Sequence, residues 1–129
     1  YATAPFVQVR DLVEASNMFS SINIDYVFSA TEFSFPIQRA IKIDENGFCD
    51  MFHTEHENTR SQDLEKAYHD AGQFYFGKVS AFQQDKPFFY SSKSKLFLLP
   101  TYRVQDIDTL EDWKRAELLF EVLMQKSNV

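Results

Sequence analysis

The sequence predicts an α/β fold with a mainly parallel sheet and an inserted β-hairpin. Three patterns support this prediction: an amphipathic helix that leads into an apolar strand, an Asn-Gly turn between two short apolar runs, and a capped amphipathic helix near the end of the chain. Helices that alternate with strands are typical of layered domains in which helices cover a sheet.

The first helix and the first strand follow from residue spacing. A helix is predicted over residues 9–22, because apolar side chains recur there on one helical face, at Leu12, Ala15, Phe19 and Ile22. Residues 26–30 are β-branched and aromatic, which predicts a buried strand. We expect residues 1–6 to end an earlier strand, so that the sheet is incomplete on its N-terminal side and leaves an edge or an apolar face that needs a partner.

A β-hairpin is predicted in the middle of the chain, where residues 37–43 and 48–52 flank a polar turn. Asn46 and Gly47 supply the positive φ angles that such a turn needs. The polar stretch 53–70 that follows is too long for a tight connection, so we expect it to serve function or an interface.

The second half of the chain contains three predicted strands, at residues 73–79, 95–99 and 102–107. A short helix is predicted at residues 80–84. The final helix has the clearest local signal. Thr109 with Asp112 three residues later resembles a capping box, and apolar residues then recur on one helical face.

Composition excludes some classes of function. The formal charge of −6 and the pI near 5.0 would repel a phosphate backbone, so nucleic acid is not an expected partner. Apolar runs stay well short of the roughly twenty residues of a membrane span, so no membrane is expected either. Cys49 is the single cysteine, which excludes a disulfide within the chain and favours a cytoplasmic location. We interpret it as a small buried residue on a strand.

Two acids before the final helix are the strongest candidates for chemistry. Asp106 and Asp108 are predicted to lie on a strand that runs into this helix, where their side chains would share one face. There they could act as catalytic residues and as ligands of Mg²⁺. That ion normally takes one or two protein carboxylates and completes its shell with water and phosphates. The alternative is a pair of solvated acids near a helix N-terminus, where negative charge is favourable. Spacing alone leaves both interpretations open.

Three polar residues in the middle of the chain could bind a carboxylate. Arg60 and Gln62 offer planar donors, and Arg39 has the same potential. A surface arginine such as Arg60 more commonly pairs with neighbouring acids. His53 and His56 are interpreted as surface residues of the loop rather than as a metal pair, because the loop has no regular period.

Two aromatic groups, at residues 74–76 and 88–90, could wall a pocket for an acyl or methyl group. The members of interest are Tyr75, Phe88 and Phe89. Core packing alone would explain most of these aromatic residues.

Four ordered segments together resemble the cytidylyltransferases that couple CTP to sialic acid and its bacterial relatives. These segments are similar to the family's Gln-x-Thr-Ser-Pro-Leu, Arg-Arg-Gln-Asp-Leu-Pro, Asn-Gly-x-x-Tyr and Asp-Ile-Asp-Thr, and they lie at residues 1–6, 59–64, 72–75 and 106–109. Three segments look like the pseudaminic acid branch of the family, at residues 35–40, 67–75 and 104–109. The departures from the sialic acid enzymes fit that branch, at Tyr1, Ser61 and Ala71.

The resemblance implies a three-layer, Rossmann-like fold of the nucleotide-diphospho-sugar transferase type. Residues 1–129 would be the C-terminal part of one such domain, and residues 35–75 an inserted extension that pairs two subunits and reaches the partner's sugar site. A homodimer is therefore expected. The implied reaction is attack of the anomeric hydroxyl of pseudaminic acid on the α-phosphorus of CTP, which gives CMP-sugar and pyrophosphate for cell-surface or flagellar glycans.

The resemblance also implies residue roles. Asp106 and Asp108 would hold Mg²⁺, and Thr3 would contact the nucleotide. The sugar would contact six residues, Arg39, Arg60, Gln62, Tyr75, Phe88 and Phe89. The family's Gly-rich nucleotide loop is absent from these 129 residues, so we expect this polypeptide alone not to turn over.

Three alternatives remain at this point. The first is a synthetase for CMP-sialic or CMP-legionaminic acid. The second is a metal-dependent glycosyltransferase, whose Asp-x-Asp would precede a loop rather than a capped helix. The third is a dimerisation module without catalytic activity.

Overall fold

The chain is described by a computed structural model that covers residues 2–20 and 23–126. It divides into two compact units, of which the first comprises Tyr1–Thr31 with Asp70–Val129 and the second comprises Glu32–His69. The helices and strands, in chain order, are α1 (Val9–Phe19), β1 (Tyr26–Glu32), β2 (Ile41–Ile43), β3 (Cys49–Met51), β4 (Tyr68–Gly77), α2 (Val79–Gln83), β5 (Ser94–Leu98) and α3 (Leu110–Lys126). Within the described residues, no helix is both long enough and apolar enough to cross a membrane.

Three strands form a mixed sheet in the order β4-β1-β5. β1 pairs with β5 in parallel over residues 26–30 and 94–98. β4 runs antiparallel to β1, and the Lys78 N–H just after β4 donates to the C=O of Asp25 just before β1. The α/β class is therefore confirmed. The predicted predominance of parallel pairing is not found in this sheet, because one of its two pairings is antiparallel.

The core lies around β1, which is buried along nearly its whole length because it occupies the centre of the sheet. The buried apolar cluster consists of Ala15, Ile24, Val27, Ala71, Phe74, Phe97 and Leu99. Ala15 belongs to α1, so the predicted apolar face of this helix does contribute to the core. α1 ends at Phe19, and its predicted last residue, Ile22, lies outside the described residues.

The strand predicted over residues 102–107 is wrong. Thr101–Arg103 form a 3₁₀ helix, and residues 104–107 continue as irregular chain outside the sheet. The reason is Pro100, because its fixed φ favours the start of a turn. Its C=O accepts the Arg103 N–H at 2.9 Å. Residues 2–6 also form turns rather than the end of a strand, and Tyr1 lies outside the described residues.

The second unit contains the predicted hairpin, in which β2 and β3 pair antiparallel. Its turn is closed by Asp44, whose Oδ1 accepts the N–H groups of Asn46 at 2.9 Å and Phe48 at 2.8 Å. Gly47 has a φ of 86°, which a residue with a Cβ rarely adopts. The prediction of a hairpin at this turn is confirmed.

Cys49 lies on β3, as predicted, but its predicted burial is wrong, because the residue is exposed. The hairpin has only two strands, and the residues of β2 are exposed on both faces. A strand position therefore does not imply burial here.

Candidate functional site

The two candidate acids lie in the irregular segment between the 3₁₀ helix and α3. Both Asp106 and Asp108 are exposed. Between them, Ile107 is half-buried and lines an apolar cavity of about 150 Å³ with residues that include Phe6 and Trp113. Because the segment is not a strand, the two carboxylates do not lie on one face by the side-chain alternation that a strand would impose. The burial of Ile107 instead anchors the chain between them.

β4 approaches Asp106 at a glycine. Gly72 has a φ of 63°, and its N–H donates to Asp70 Oδ1 at 2.9 Å. The carboxyl carbon of Asp106 lies 3.7 Å from the position that a Cβ on residue 72 would occupy. The positive φ therefore favours glycine at this position, whereas 3.7 Å is an ordinary van der Waals distance at which a Cβ would still fit beside the Asp106 carboxylate.

The capping box predicted at the start of α3 is confirmed. Thr109 Oγ1 accepts the Asp112 N–H at 3.2 Å, and Asp112 Oδ2 accepts the Thr109 N–H at 3.0 Å. The hydroxyl of Thr109 also donates to this carboxylate at 2.7 Å. This side-chain hydrogen bond is the main reason that the pKa of Asp112 is lowered from its usual value, and the Thr109 and Asp108 N–H groups add to the effect.

Sequence patterns did not reveal a buried polar network beside this segment. Arg103 places both terminal nitrogens on the Asp11 carboxylate of α1, with Nη1 to Oδ2 at 2.6 Å and Nη2 to Oδ1 at 3.3 Å. Gln73 of β4 donates from Nε2 to the C=O of Arg103 at 2.6 Å. All three residues are buried. Only the formal charges of Asp11 and Arg103 were visible in the sequence, and nothing there indicated that they pair.

The two acids fit Mg²⁺ by the chemistry of their donor atoms. Two exposed carboxylates leave room for the waters and phosphate oxygens that this ion retains. The described part of the chain contains no group of three or more His, Cys, Asp or Glu arranged to hold a metal ion. Mg²⁺ normally takes only one or two protein carboxylates, so the number of these acids is compatible with that ion.

The aromatic candidates come together in the first unit. Phe28 of β1 contacts Tyr75, Phe88 and Phe89, with ring centroids 6.2, 5.4 and 5.3 Å away. The Tyr75 hydroxyl donates to Asp70 Oδ2. Phe89 is exposed while Phe88 is half-buried, so these rings form an aromatic wall that solvent or a ligand can reach.

The polar sugar-site candidates lie in the second unit. Arg60 Nε donates to Asp63 Oδ2 at 2.8 Å, and both side chains are exposed, as expected for a surface arginine beside an acid. Arg39 lines a cavity of about 550 Å³ together with Ser61 and apolar residues. Gln62 lines a smaller cavity of about 180 Å³.

The remaining candidates are on the surface. Thr3 is exposed in a turn of the first unit. His53 is exposed in the loop, as predicted, whereas His56 ends the 3₁₀ helix Thr54–His56 and is half-buried. His53 Nδ1 lies 3.3 Å from Glu55 Oε1, and His56 Nδ1 lies 3.4 Å from Thr59 Oγ1.

Curated proteins provide close relatives, although no protein-family model matches the chain. Over 122 residues, the chain is 44% identical to the pseudaminic acid cytidylyltransferase of Campylobacter jejuni subsp. jejuni serotype O:23/36, a match that covers 95% of this chain and 52% of that protein. The figures are the same for the enzyme of serotype O:2. A Helicobacter pylori protein named pseudaminic acid cytidylyltransferase and UDP-2,4-diacetamido-2,4,6-trideoxy-beta-L-altropyranose hydrolase is 40% identical over 108 residues, which cover 83% of this chain and 20% of that protein.

These identities confirm the resemblance found in the motifs. The chain spans about half the length of the Campylobacter relatives. It is homologous, over nearly its whole length, to a portion of pseudaminic acid cytidylyltransferase.

Proposed function

We propose that this chain is the sugar- and metal-binding portion of an enzyme that transfers CMP from CTP to pseudaminic acid. The observation that supports this most strongly is the 44% identity over 95% of the chain to enzymes of that name. Because the chain spans about half of those relatives, we propose that turnover requires the CTP-binding remainder as well. Residues 1–129 would then complete a three-layer fold of the nucleotide-diphospho-sugar transferase type.

In the proposed reaction, the anomeric hydroxyl of the sugar forms a bond to the α-phosphorus of CTP. The bond from that phosphorus to the pyrophosphate oxygen breaks, and the proton of the hydroxyl passes to water. Asp106 and Asp108 would hold Mg²⁺, which neutralises phosphate charge when bound. Thr3 would contact the nucleotide.

The sugar would be recognised by two kinds of residue. Pseudaminic acid is a deoxy, di-N-acylated sugar, so its acyl and methyl groups suit the aromatic wall of Tyr75, Phe88 and Phe89. We propose Arg39, Arg60 and Gln62 as ligands of its carboxylate. For Arg60 this requires exchange of the Asp63 contact for the substrate, which an exposed ion pair permits at little cost.

We also propose a homodimer formed through residues 35–75. The hairpin in this range exposes large apolar side chains, among them Ile41, Ile43 and Phe48. Exposed apolar groups of this size typically mark an interaction surface.

The capped helix directly after Asp108 favours the cytidylyltransferase over the glycosyltransferase alternative. In a metal-dependent glycosyltransferase, a loop would be expected after the Asp-x-Asp motif. The capping box of Thr109 and Asp112 therefore supports the assignment as a cytidylyltransferase.

Replacement of one acid tests the metal role. In the natural polypeptide that contains these residues, Asp108→Asn should lower the rate of pyrophosphate release from CTP and pseudaminic acid by about 100- to 1,000-fold, since metal ions supply several kcal/mol to such transfers. Asp85→Asn is the matched control, because Asp85 is exposed and has a positive φ of 47°, which Asn tolerates. Equal rates for the two variants would contradict the assignment.

A further inference from the structure

The irregular segment that bears the two acids is held by side chains rather than by a sheet. Residues 104–107 lie outside all five strands that the structure describes. Catalytic and metal-binding groups must keep their geometry to within about 0.5 Å, which an unsupported loop does not provide. The contacts at each end of this segment therefore determine where Asp106 and Asp108 lie.

At the upstream end, Gln73 fixes the backbone of Arg103. Its amide donates to the Arg103 C=O at 2.6 Å, three residues before Asp106. The preceding residue on the same strand, Gly72, faces the Asp106 carboxylate, which lies 3.7 Å from the position that a Cβ on residue 72 would occupy. One short stretch of β4 thus binds the start of the segment and lies beside its first acid.

The side chain of Arg103 ties the same point to α1. Its guanidinium makes a two-pronged contact with Asp11, and both side chains are only 6% exposed. Charge-assisted pairs of this geometry are directional, and loss of one partner leaves a buried charge uncompensated. Arg103 therefore cannot shift without a substantial loss of stability.

At the downstream end, a second glutamine repeats the arrangement. Gln105 Nε2 donates to the C=O of Asp106 at 2.7 Å and to Asp112 Oδ1 at 3.3 Å. Asp112 Oδ2 also accepts the Asp108 N–H at 3.4 Å. The backbone around the acids is thus attached to the start of α3, while the acids themselves stay exposed.

We infer that Gln73, Gln105 and the Asp11–Arg103 pair are positioning residues, which hold the backbone of Asp106 and Asp108 so that their carboxylates can bind one divalent cation. The inference rests on the proposed function, because it takes these acids as the metal ligands. Partners that orient metal ligands in this way typically change metal affinity by 10- to 100-fold when they are removed.

Direct titration with Mn²⁺ tests the inference without turnover. Free Mn²⁺ is measured by electron paramagnetic resonance in the natural polypeptide that contains these residues, without CTP or sugar. We expect Gln73→Met, which keeps the side-chain length but cannot donate, to weaken Mn²⁺ binding by about 10-fold. Arg103→Lys, which keeps the charge but loses the two-pronged contact, should weaken it by a smaller factor.

The matched control is a second ion pair in the same unit, in which the acid is buried and the lysine is half-buried. Asp25 is 5% exposed, and its carboxylate lies 3.1 Å from Lys86 Nζ. Asp25→Asn should lower the melting temperature in the same way as Gln73→Met, yet leave the Mn²⁺ affinity unchanged. If both variants weaken Mn²⁺ binding equally, the effect is general destabilisation and the inference is wrong.

Two further variants keep the outcomes distinct. Gln105→Met changes a partly exposed side chain, so it provides the same test if Gln73→Met does not fold. Asp108→Asn should abolish Mn²⁺ binding. If it binds Mn²⁺ as the unaltered protein does, the proposed metal site itself is wrong. If Asp108→Asn loses the ion while both glutamine variants bind it normally, the metal site stands and the positioning role is refuted.

Discussion

β1 and the β2–β3 hairpin are both rich in apolar residues, but these residues are buried in β1 and exposed in the hairpin. β1 is buried at six of its seven positions, whereas Ile43 of β2 is 80% exposed and Phe48 in the hairpin is 70% exposed. The difference arises because β1 has a strand on each side, while the sheet of the hairpin contains no third strand among the residues that the structure describes. A strand pattern thus predicts a strand, but neighbouring elements decide whether its side chains are buried.

The contrast separates two roles for apolar residues in this chain. Those of β1 stabilise the first unit, because they lose their contact with water when the chain folds. Those of the hairpin gain little from folding of the chain alone, and their contribution would come from a partner. This is the physical basis of the homodimer proposal, and it can be tested residue by residue.

The largest expected effect separates two phenylalanines. Phe74→Ala removes a core ring that is 7% exposed, and it should lower the free energy of unfolding by about 3–5 kcal/mol. Phe48→Ala makes the same change in the hairpin and should alter it by no more than about 0.5 kcal/mol. Urea denaturation of the monomeric chain measures both. Similar losses in the two variants would show that the hairpin ring is buried in solution.

The next effect concerns association. Each apolar side chain covered at an interface contributes about 1.5–3 kcal/mol, and a homodimer contains two copies of it, so Ile43→Ser should raise the dimer dissociation constant by at least about 100-fold. Lys42→Ser, at the adjacent position of β2, breaks an exposed ion pair with Asp50 and a cation–π contact with the Phe52 ring, and it should have little effect on association. Sedimentation equilibrium distinguishes the two variants. A monomer at every concentration of the unaltered protein would contradict the dimer.

A smaller effect is expected at the start of α3, where the irregular segment of the first unit ends. Thr109→Ala removes the capping hydroxyl and should cost about 1 kcal/mol of unfolding free energy. Thr101→Ala changes an exposed threonine of the same unit and serves as the control. Thermal unfolding measures the difference, and an equally stable Thr109→Ala protein would show that the cap is not formed.

The smallest effects are pH-dependent, and each unit has one example. Hydrogen bonds from Thr109 and from Lys42 are the main causes that lower the pKa values of Asp112 and Asp50, respectively. Each carboxylate therefore contributes stability that is complete above its unfolded pKa and is lost as the pH falls through the lower folded pKa. In an NMR titration, Thr109→Ala should raise only the pKa of Asp112, and Lys42→Met only that of Asp50. A change at the other site would show that the two are coupled.

Local patterns predicted most of the elements. Helical spacing located α1 and α3, the Asn-Gly turn located the hairpin, and the capping box formed as expected. The strand predicted at residues 102–107 does not form, because Pro100 starts a 3₁₀ turn. Pairing direction was also missed, because the connection between two strands does not reveal by itself how they align.

The site was predictable only where its residues bear charge or aromatic rings. The rings of Tyr75, Phe88 and Phe89 do meet, and the Asp106 carboxylate faces Gly72 of β4. The Asp11–Arg103 pair joins residues that are 92 positions apart, and no spacing rule connects such positions. The roles of all the candidate residues stay predictions, namely those of Thr3, Arg39, Arg60, Gln62, Tyr75, Phe88, Phe89, Asp106 and Asp108.

The most direct measurement compares three acceptor sugars in the natural polypeptide that contains these residues. Pyrophosphate release is followed with CTP, Mg²⁺ and either pseudaminic, legionaminic or sialic acid, and each CMP-sugar is identified by mass spectrometry. We expect CMP-pseudaminic acid to form with the highest kcat/KM, and its formation to stop when Mg²⁺ is chelated. Efficient turnover of sialic acid with none of pseudaminic acid, or release that does not depend on Mg²⁺, would contradict the proposed function.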